Sequence, residues 1–109
     1  MGGAMKGDVV VIAFPFSDLT GSKRRPALVI ADWGGDDVML CQITSQSKRD
    51  GLEIPLIEAD FEHGRLPIAS HIRPNKSFTA DKRIIRDVAG RISGAKHVEV
   101  AQQIIKLIS

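Results

Sequence analysis

Four side chains that can act on a phosphate group lie at or near the ends of predicted strands. Arg25 precedes an apolar strand, and Thr44 closes another strand just before Ser45. His71 lies in a later strand. Arginine binds phosphate oxygens through a planar, always charged fork, and hydroxyl groups donate hydrogen bonds to the same oxygens. Histidine, as a residue type, can exchange protons near neutral pH. Together these side chains suit phosphate chemistry.

Cleavage of an RNA phosphodiester needs few protein groups, because the neighbouring 2′-hydroxyl can serve as the nucleophile. The protein has to orient the phosphate, move protons and neutralise the charge that develops on the phosphate oxygens. Arg25 suits the last of these tasks. Since arginine rarely gives up its proton, another residue or the substrate itself must move the protons.

Common signatures of other chemistries are missing from the sequence. It has no Gly-x-Gly-x-x-Gly motif, no phosphate-binding loop ending in Gly-Lys-Ser or Gly-Lys-Thr, no Gly-x-Ser-x-Gly elbow and no His-Glu-x-x-His. The three histidines, His63, His71 and His97, lie on different predicted elements with no carboxylate at metal-ligand spacing. Cys41 is the single cysteine, which rules against a structural zinc site. We therefore expect neither a metal nor another cofactor.

The composition indicates one folded domain. The chain has 109 residues, of which 43% are hydrophobic and 26% charged, close to the averages for globular proteins. Cys41 lies in an apolar run and is expected to be buried in a protein of the reducing cytoplasm. No apolar stretch approaches the roughly 18 residues that span a bilayer, so no membrane partner is expected. Residues 1–5 are expected to be an N-terminal extension or a cloning remnant, and residues 6–109 the domain.

Basic residues occur in clusters although the net charge is only +2. The clusters are Lys23-Arg24-Arg25, Lys48-Arg49, and Lys82-Arg83 with Arg86. Each cluster alone is typical of solvated loop charges. Together they indicate a surface that faces phosphate groups.

Five stretches have the length and the β-branched composition of strands. They are residues 9–14, 26–31, 38–44, 52–57 and 66–73, with a further short strand or turn over 78–85. Pro26 is expected at the first position of its strand, and Pro55 indicates an edge strand, because proline cannot donate to a ladder. The loop before Pro26 is the first functional candidate.

The end of the chain changes to a helical period. Val98, Ala101, Ile105 and Ile108 recur at spacings of three and four, which predicts an amphipathic helix that buries this face. Ser93 is the expected N-cap. Short strands followed by one helix predict a mainly β fold, a small antiparallel barrel or sandwich with the helix packed on it.

The order of several short blocks resembles the MazF/PemK toxin family. The blocks cover residues 6–10, 14–16, 23–30, 41–46, 70–73 and 90–93. Arg-Pro-x-Leu-Val-Ile followed by Ile-Thr-Ser-Gln is the most specific pair. The resemblance covers residues 6–108 and implies an SH3-like, PemK-like β-barrel with a C-terminal α-helix. It also implies a cytoplasmic homodimer, metal-independent cleavage of single-stranded RNA at short motifs, and a cognate antitoxin that covers the RNA groove.

The resemblance implies that Arg25 and Thr44 are the catalytic pair, and His71 is a candidate for proton transfer. Further RNA contacts are expected from Phe16, Lys23, Arg24, Ser45, Gln46 and Arg73. Each residue also has a structural interpretation: a surface charge for the arginines, strand propensity for Thr44, turn positions for Ser45 and Gln46, and a packing role for His71 and Phe16. Many family members carry an acidic residue and extra glycines in the loop before this arginine, where the present chain has the shorter Thr20-Gly21-Ser22-Lys23-Arg24.

Two other functions stay open on the same fold. One is a non-catalytic inhibitor of gyrase, like the CcdB proteins, that acts through its C-terminal helix. The other is an RNA-binding relative without activity. The Arg-Pro block together with the Ile-Thr block favours cleavage, because the CcdB proteins lack this combination.

Overall fold

The computed structural model describes residues 4–15 and 22–109. Within these ranges it contains seven strands, one α-helix and two short 3-10 helices at Glu58–Asp60 and Lys82–Ile84. The strands are β1 (Asp8–Pro15), β2 (Ser22–Asp32), β3 (Asp37–Thr44), β4 (Ile54–Leu56), β5 (Phe61–Gly64), β6 (Ser70–Asp81) and β7 (Ile85–Ile92). The helix α1 spans Gly94–Ile108.

All seven strands form one antiparallel sheet in the order β4-β6-β3-β2-β1-β7-β5. Register shifts interrupt the pairing of β1 with β7, of β2 with β3 and of β3 with β6. Because such irregularities bend a strand and increase its twist, the sheet curls into a half-barrel. The prediction of a mainly β fold with a C-terminal α-helix is confirmed.

Successive residues of the central strands enter two separate core clusters. Val9 of β1 and Leu28 of β2 belong to the cluster that Val100 of α1 covers. Val10 and Ala27, one residue away on the same strands, belong to a second cluster. This division follows from the two-residue period of a strand, which sends neighbouring side chains to opposite faces. Cys41 is buried in the first cluster, as predicted.

The helix begins where predicted but buries a different face. The backbone N–H of Lys96 donates to the Ser93 hydroxyl at 3.2 Å, which confirms Ser93 as the N-cap. Val100 is fully buried and Ile104 packs beside it. Three of the residues predicted to face the core, Val98, Ile105 and Ile108, are instead exposed. Spacing alone could not decide the rotation of the helix, because it carries two apolar stripes and the sheet accommodates one.

The sequence predicted Pro26 at the first position of its strand, but the residue lies inside β2. The ladder between β2 and β3 begins at the pair Ala27 and Gln42, so residues 22–26 pair with β1 alone. One edge of β2 is therefore unpaired at Pro26, and the missing N–H removes no ladder bond on that side. The proline in β4 does lie in an edge strand, as predicted.

Two strands near the end of the sheet were missed. Residues 61–64 had been assigned to an acidic loop but form β5, and β7 was not predicted as a separate strand. The predicted strand over 66–73 begins later, at Ser70, and continues to Asp81. β5 is short and its residues are mostly exposed, so it lacks the apolar pattern that reveals a strand. No helix in the described ranges has the length and apolar character needed to cross a membrane.

Candidate functional site

A groove of about 840 Å³ opens where β2 begins, β3 ends and β6 begins. The described residues around it include five basic side chains and no acidic one. The basic residues are Arg24, Arg25, Lys48, Arg73 and Lys76. The polar residues are Gln42, Thr44, Ser45, Gln46 and Ser70, and the apolar residues are Val11, Pro26, Ile43, Leu66, Pro67 and Ile68. The groove is therefore suited to a polyanion, although the whole chain carries a net charge of only +2.

Arg25 of β2 and Thr44 of β3 both line this groove. The β2–β3 ladder ends at the pair Ala27 and Gln42, and Arg25 and Thr44 each lie two residues beyond this pair on their own strands. Because strand side chains alternate between the two faces of a sheet, Arg25 and Thr44 lie on the same face as this pair. Arg25 is exposed and Thr44 is half-buried, and both line the groove. Both side chains therefore border the space in which a ligand of the groove would lie.

The Thr44 hydroxyl is held by the turn that follows β3. Its oxygen accepts a hydrogen bond from the backbone N–H of Gln46 at 3.1 Å. A hydroxyl that accepts one bond still has its own hydrogen to donate. This bond fixes the orientation of the threonine side chain and leaves its hydrogen for a ligand in the groove. Ser45 and Gln46 are exposed and line the groove beside it.

Arg73 is buried between two carboxylates, so its interpretation as a solvated strand charge is wrong. Its guanidinium lies 2.9 Å from Asp50 and 3.6 Å from Glu53, and its side chain is 8% exposed. The hydrogen bond from Arg73 is the main cause that lowers the pKa of Asp50. Arg73 does line the groove, but two acidic partners already balance its charge. No local pattern indicates these partners, which lie about 20 residues earlier in the chain.

Glu53 also organises the loop between β3 and β4. It accepts hydrogen bonds from the Ser47 hydroxyl and from the backbone N–H of Lys48. Both bonds lower the pKa of Glu53, and the bond from the Ser47 hydroxyl has the larger effect. Arg49 adopts a positive φ of 53°, which is uncommon for a residue with a side chain. The loop that carries Lys48 into the groove therefore has a defined conformation.

His71 pairs with Thr44 in the β3–β6 ladder, but its ring does not join the side chains described around the groove. The ring Nδ1 lies 3.8 Å from the Glu53 carboxylate. This nitrogen is buried and has no hydrogen-bond partner in the part of the chain that the structure describes. In the same part, no group of three or more His, Cys, Asp or Glu side chains is placed to hold a metal ion.

The comparisons with known proteins agree with this architecture. Residues 5–108 match the family described as PemK-like, MazF-like toxin of type II toxin-antitoxin system. The chain belongs to this family. The match covers both Arg25 and Thr44, so the groove lies within the toxin domain. No curated protein matches the toxin.

Several solved structures share the fold of the toxin at low sequence identity. A chain in the crystal structure of MazE-MazF (Form-II) from Deinococcus radiodurans is 19% identical, with a TM-score of 0.81 and coverage of 99% of the toxin and 97% of that chain. MazF (Form-I) from the same organism is 20% identical, with a TM-score of 0.77 and coverage of 99% and 98%. An endoribonuclease from Mycobacterial species is 15% identical, with a TM-score of 0.73 and coverage of 99% and 93%.

The structure brings together some of the predicted site residues and not others. Arg24, Arg25, Thr44, Ser45, Gln46 and Arg73 all line the groove of the toxin. Phe16 and the side chain of Lys23 lie outside the described residues. The sequence analysis did not select Lys48 or Lys76 as RNA contacts, although Lys48 belongs to a basic cluster. It also missed the apolar segment 66–68, because these residues had been placed within a strand.

Proposed function

We propose that the toxin is an endoribonuclease that cleaves single-stranded RNA at short sequence motifs, with Arg25 and Thr44 as its catalytic pair. The observation that carries this proposal is that both side chains line one groove, which is rich in basic side chains. Its fold, shared with a protein named an endoribonuclease, is consistent with it.

In the proposed reaction the 2′-hydroxyl of the substrate is the nucleophile. Its oxygen bonds to phosphorus while the bond from phosphorus to the 5′-oxygen breaks, which leaves a 2′,3′-cyclic phosphate and a 5′-hydroxyl. Arg25 neutralises the charge that develops on the non-bridging oxygens, and Thr44 donates its hydroxyl hydrogen to one of them. The 2′-hydroxyl loses a proton and the 5′-oxygen gains one, so the step needs neither an oxidant nor a metal. We propose His71 as a candidate for this proton transfer only if RNA binding brings its ring into the groove, because the ring lies outside the described lining; otherwise another residue or the substrate itself moves the protons.

The rest of the groove would hold the RNA on either side of the cut. Arg24, Lys48 and Lys76 are suited to phosphate contacts, which position a strand without reading its sequence. Ser45 and Gln46 carry groups that can donate to and accept from base edges. We also propose RNA contacts for Lys23 and Phe16.

We further propose that the toxin forms a homodimer and is neutralised by a cognate antitoxin. Chains of similar fold occur in structures described as MazE-MazF and as an endoribonuclease with its cognate antitoxin. An antitoxin that covered the groove would exclude RNA from Arg25 and Thr44. Since RNA is the proposed substrate, we place the activity in the cytoplasm.

The decisive experiment is cleavage of one defined single-stranded RNA by the purified protein in EDTA. We expect discrete fragments with cyclic phosphate ends, and the mapped 5′ ends would give the cleaved motif. Arg25→Ala should lower the rate by about 100-fold or more, as is common when a group that stabilises transition-state charge is removed. Arg83→Ala is the control, because this side chain is 89% exposed and lies outside the groove.

Cutting by Arg25→Ala at the wild-type rate would refute the catalytic assignment. Intact RNA together with inhibition of gyrase would instead favour the CcdB-like alternative. Tight RNA binding without turnover would favour an inactive relative.

A further inference from the structure

The groove has an apolar wall beside its basic residues. This wall is the segment Leu66-Pro67-Ile68, which connects β5 to β6. Ile68 is 62% exposed, whereas isoleucine is among the residue types most often buried. A single exposed isoleucine is ordinary on a protein surface. One that lines a groove with Arg24, Lys48 and Lys76 suits a ligand with apolar as well as anionic parts.

Contacts on both sides hold the apolar wall in place. The Ser70 hydroxyl donates to the carbonyl oxygen of Ile68 at 2.9 Å, and the backbone N–H of Arg65 donates to the carbonyl oxygen of Ala89 at 3.3 Å. Leu66 packs against the first core cluster, and Pro67 has a fixed φ. The backbone that presents Ile68 is thus ordered before a ligand binds, which lowers the entropy lost on binding.

A nucleotide in a single strand has the chemistry that this combination requires. Its phosphate suits basic side chains, and the face of its unpaired base is apolar enough to pack against a hydrocarbon side chain. A phosphate group alone would gain nothing from an apolar wall. The edge of the base carries donors and acceptors that the amide of Gln46, on the same groove, can meet.

We propose that Leu66-Pro67-Ile68 is a base-packing subsite, in which an unpaired RNA base lies against Ile68 while neighbouring phosphates contact Arg24, Lys48 and Lys76. This proposal rests on the proposed function, because it takes RNA as the ligand. The subsite selects for a base in an unstacked, single-stranded conformation, since a base within a duplex has both faces covered. The subsite should therefore favour single-stranded over duplex RNA.

The test compares two oligonucleotides of equal length and charge. One is a 2′-O-methyl RNA, which lacks the attacking hydroxyl and cannot be cut, and the other is its abasic counterpart without nucleobases. Ile68→Ser should weaken binding of the RNA by about fivefold, from the partial burial of one isoleucine, and leave binding of the abasic strand unchanged. The salt dependence of binding should stay the same, because no charge is removed.

Three further variants complete the test. Ile57→Ser removes another exposed isoleucine, 52% exposed and outside the groove, and should change neither affinity. Ile68→Leu keeps the apolar surface and should retain RNA binding within about twofold. Arg24→Ala should weaken both oligonucleotides and reduce the salt slope by about one unit.

The results separate this proposal from the proposed function. Unchanged RNA affinity in Ile68→Ser, or an equal loss for both oligonucleotides, would overturn the subsite. The subsite would also be overturned if Ile68→Ser weakened binding of an acidic, leucine-containing peptide but not binding of RNA. That result would assign the apolar wall to a protein partner. A wild-type protein that binds RNA without cutting it would refute the nuclease and leave the subsite standing, whereas one that binds no RNA would overturn both.

Discussion

The guanidinium of Arg73 in β6 lies 2.9 Å from the carboxylate of Asp50, which belongs to the loop after β3. This ion pair holds the loop against β6. This loop begins directly after Thr44 and carries Lys48 into the groove. Glu53 adds a second contact to the same guanidinium at 3.6 Å. Arg73 thus acts as a positioning residue, because its charge holds one wall of the groove in a defined conformation.

Removal of Arg73 should destabilise the fold far more than removal of an exposed arginine. Arg73→Ala leaves two carboxylates without their buried partner, and we expect a loss of about 2 kcal/mol in the free energy of unfolding. Arg65→Ala is the control, since its side chain is 72% exposed and lies 3.9 Å from Glu58. It should change stability by less than about 0.5 kcal/mol. Urea unfolding measures both, and equal effects would show that the Arg73 cluster adds no stability.

The same cluster predicts a loss of stability in acid. The hydrogen bond from Arg73 lowers the pKa of Asp50 from its ordinary 3.8, so the folded state binds fewer protons at this group than the unfolded state. The stabilisation is complete above the unfolded pKa and is lost as the pH falls through the lower, folded value. Asp50→Asn should reduce the slope of the unfolding free energy against pH between about pH 5 and 3. A slope identical to that of the wild-type protein, with exposed Asp36→Asn as the charge control, would contradict this interpretation.

Thr44 offers a test of the hydroxyl alone. Thr44→Val keeps the branched shape that suits β3 but can neither accept from Gln46 nor donate to a phosphate. We expect it to lower kcat/KM for RNA cleavage by about 100-fold. Thr44→Ser restores the hydroxyl and should stay within about tenfold of wild type. Single-turnover cleavage rates measure both, and a valine variant as active as the serine variant would exclude a role for the hydroxyl.

The position of His71 predicts a modest effect of its replacement. Its ring is absent from the described lining of the groove, and its Nδ1 faces Glu53 at 3.8 Å. A general base must come within hydrogen-bond reach of the proton that it takes, and such a base contributes about 100-fold or more. We expect His71→Gln to retain cleavage within about tenfold. A larger loss, with a changed pH–rate profile, would show that the ring moves into the groove when RNA binds and would support its role in proton transfer.

Local patterns predicted much of the fold, while contacts between distant residues could not be predicted from them. Strand periodicity located β1 to β4, and the short blocks around Arg25 and Thr44 placed both residues at the groove. The burial of Arg73 could not be foreseen, because it depends on a carboxylate 23 residues earlier in the chain. The rotation of α1 was mispredicted for a related reason. Both of its apolar stripes satisfy the helical period, and the packing of Val100 against the sheet decides between them.

In the pairing of β5 with β7, Gly64 faces Gly90, and the two backbones approach each other closely. Adding a single methyl group at Gly64 should therefore lower the stability of the protein. Gly64 has a φ of 73°, and a Cβ at this position would lie 2.3 Å from the carbonyl oxygen of Ala89 and 2.5 Å from the Cα of Gly90. Gly64→Ala must therefore separate the two strands and should cost about 3 kcal/mol of stability. Gly35→Ala is the matched control, because a Cβ there meets nothing within 4 Å. Since Gly64 leads into the segment that presents Ile68, we also expect Gly64→Ala to weaken binding of the 2′-O-methyl RNA. Thermal unfolding and fluorescence anisotropy measure the two effects, and a Gly64→Ala protein as stable as Gly35→Ala would show that β5 is not held against β7 at this distance.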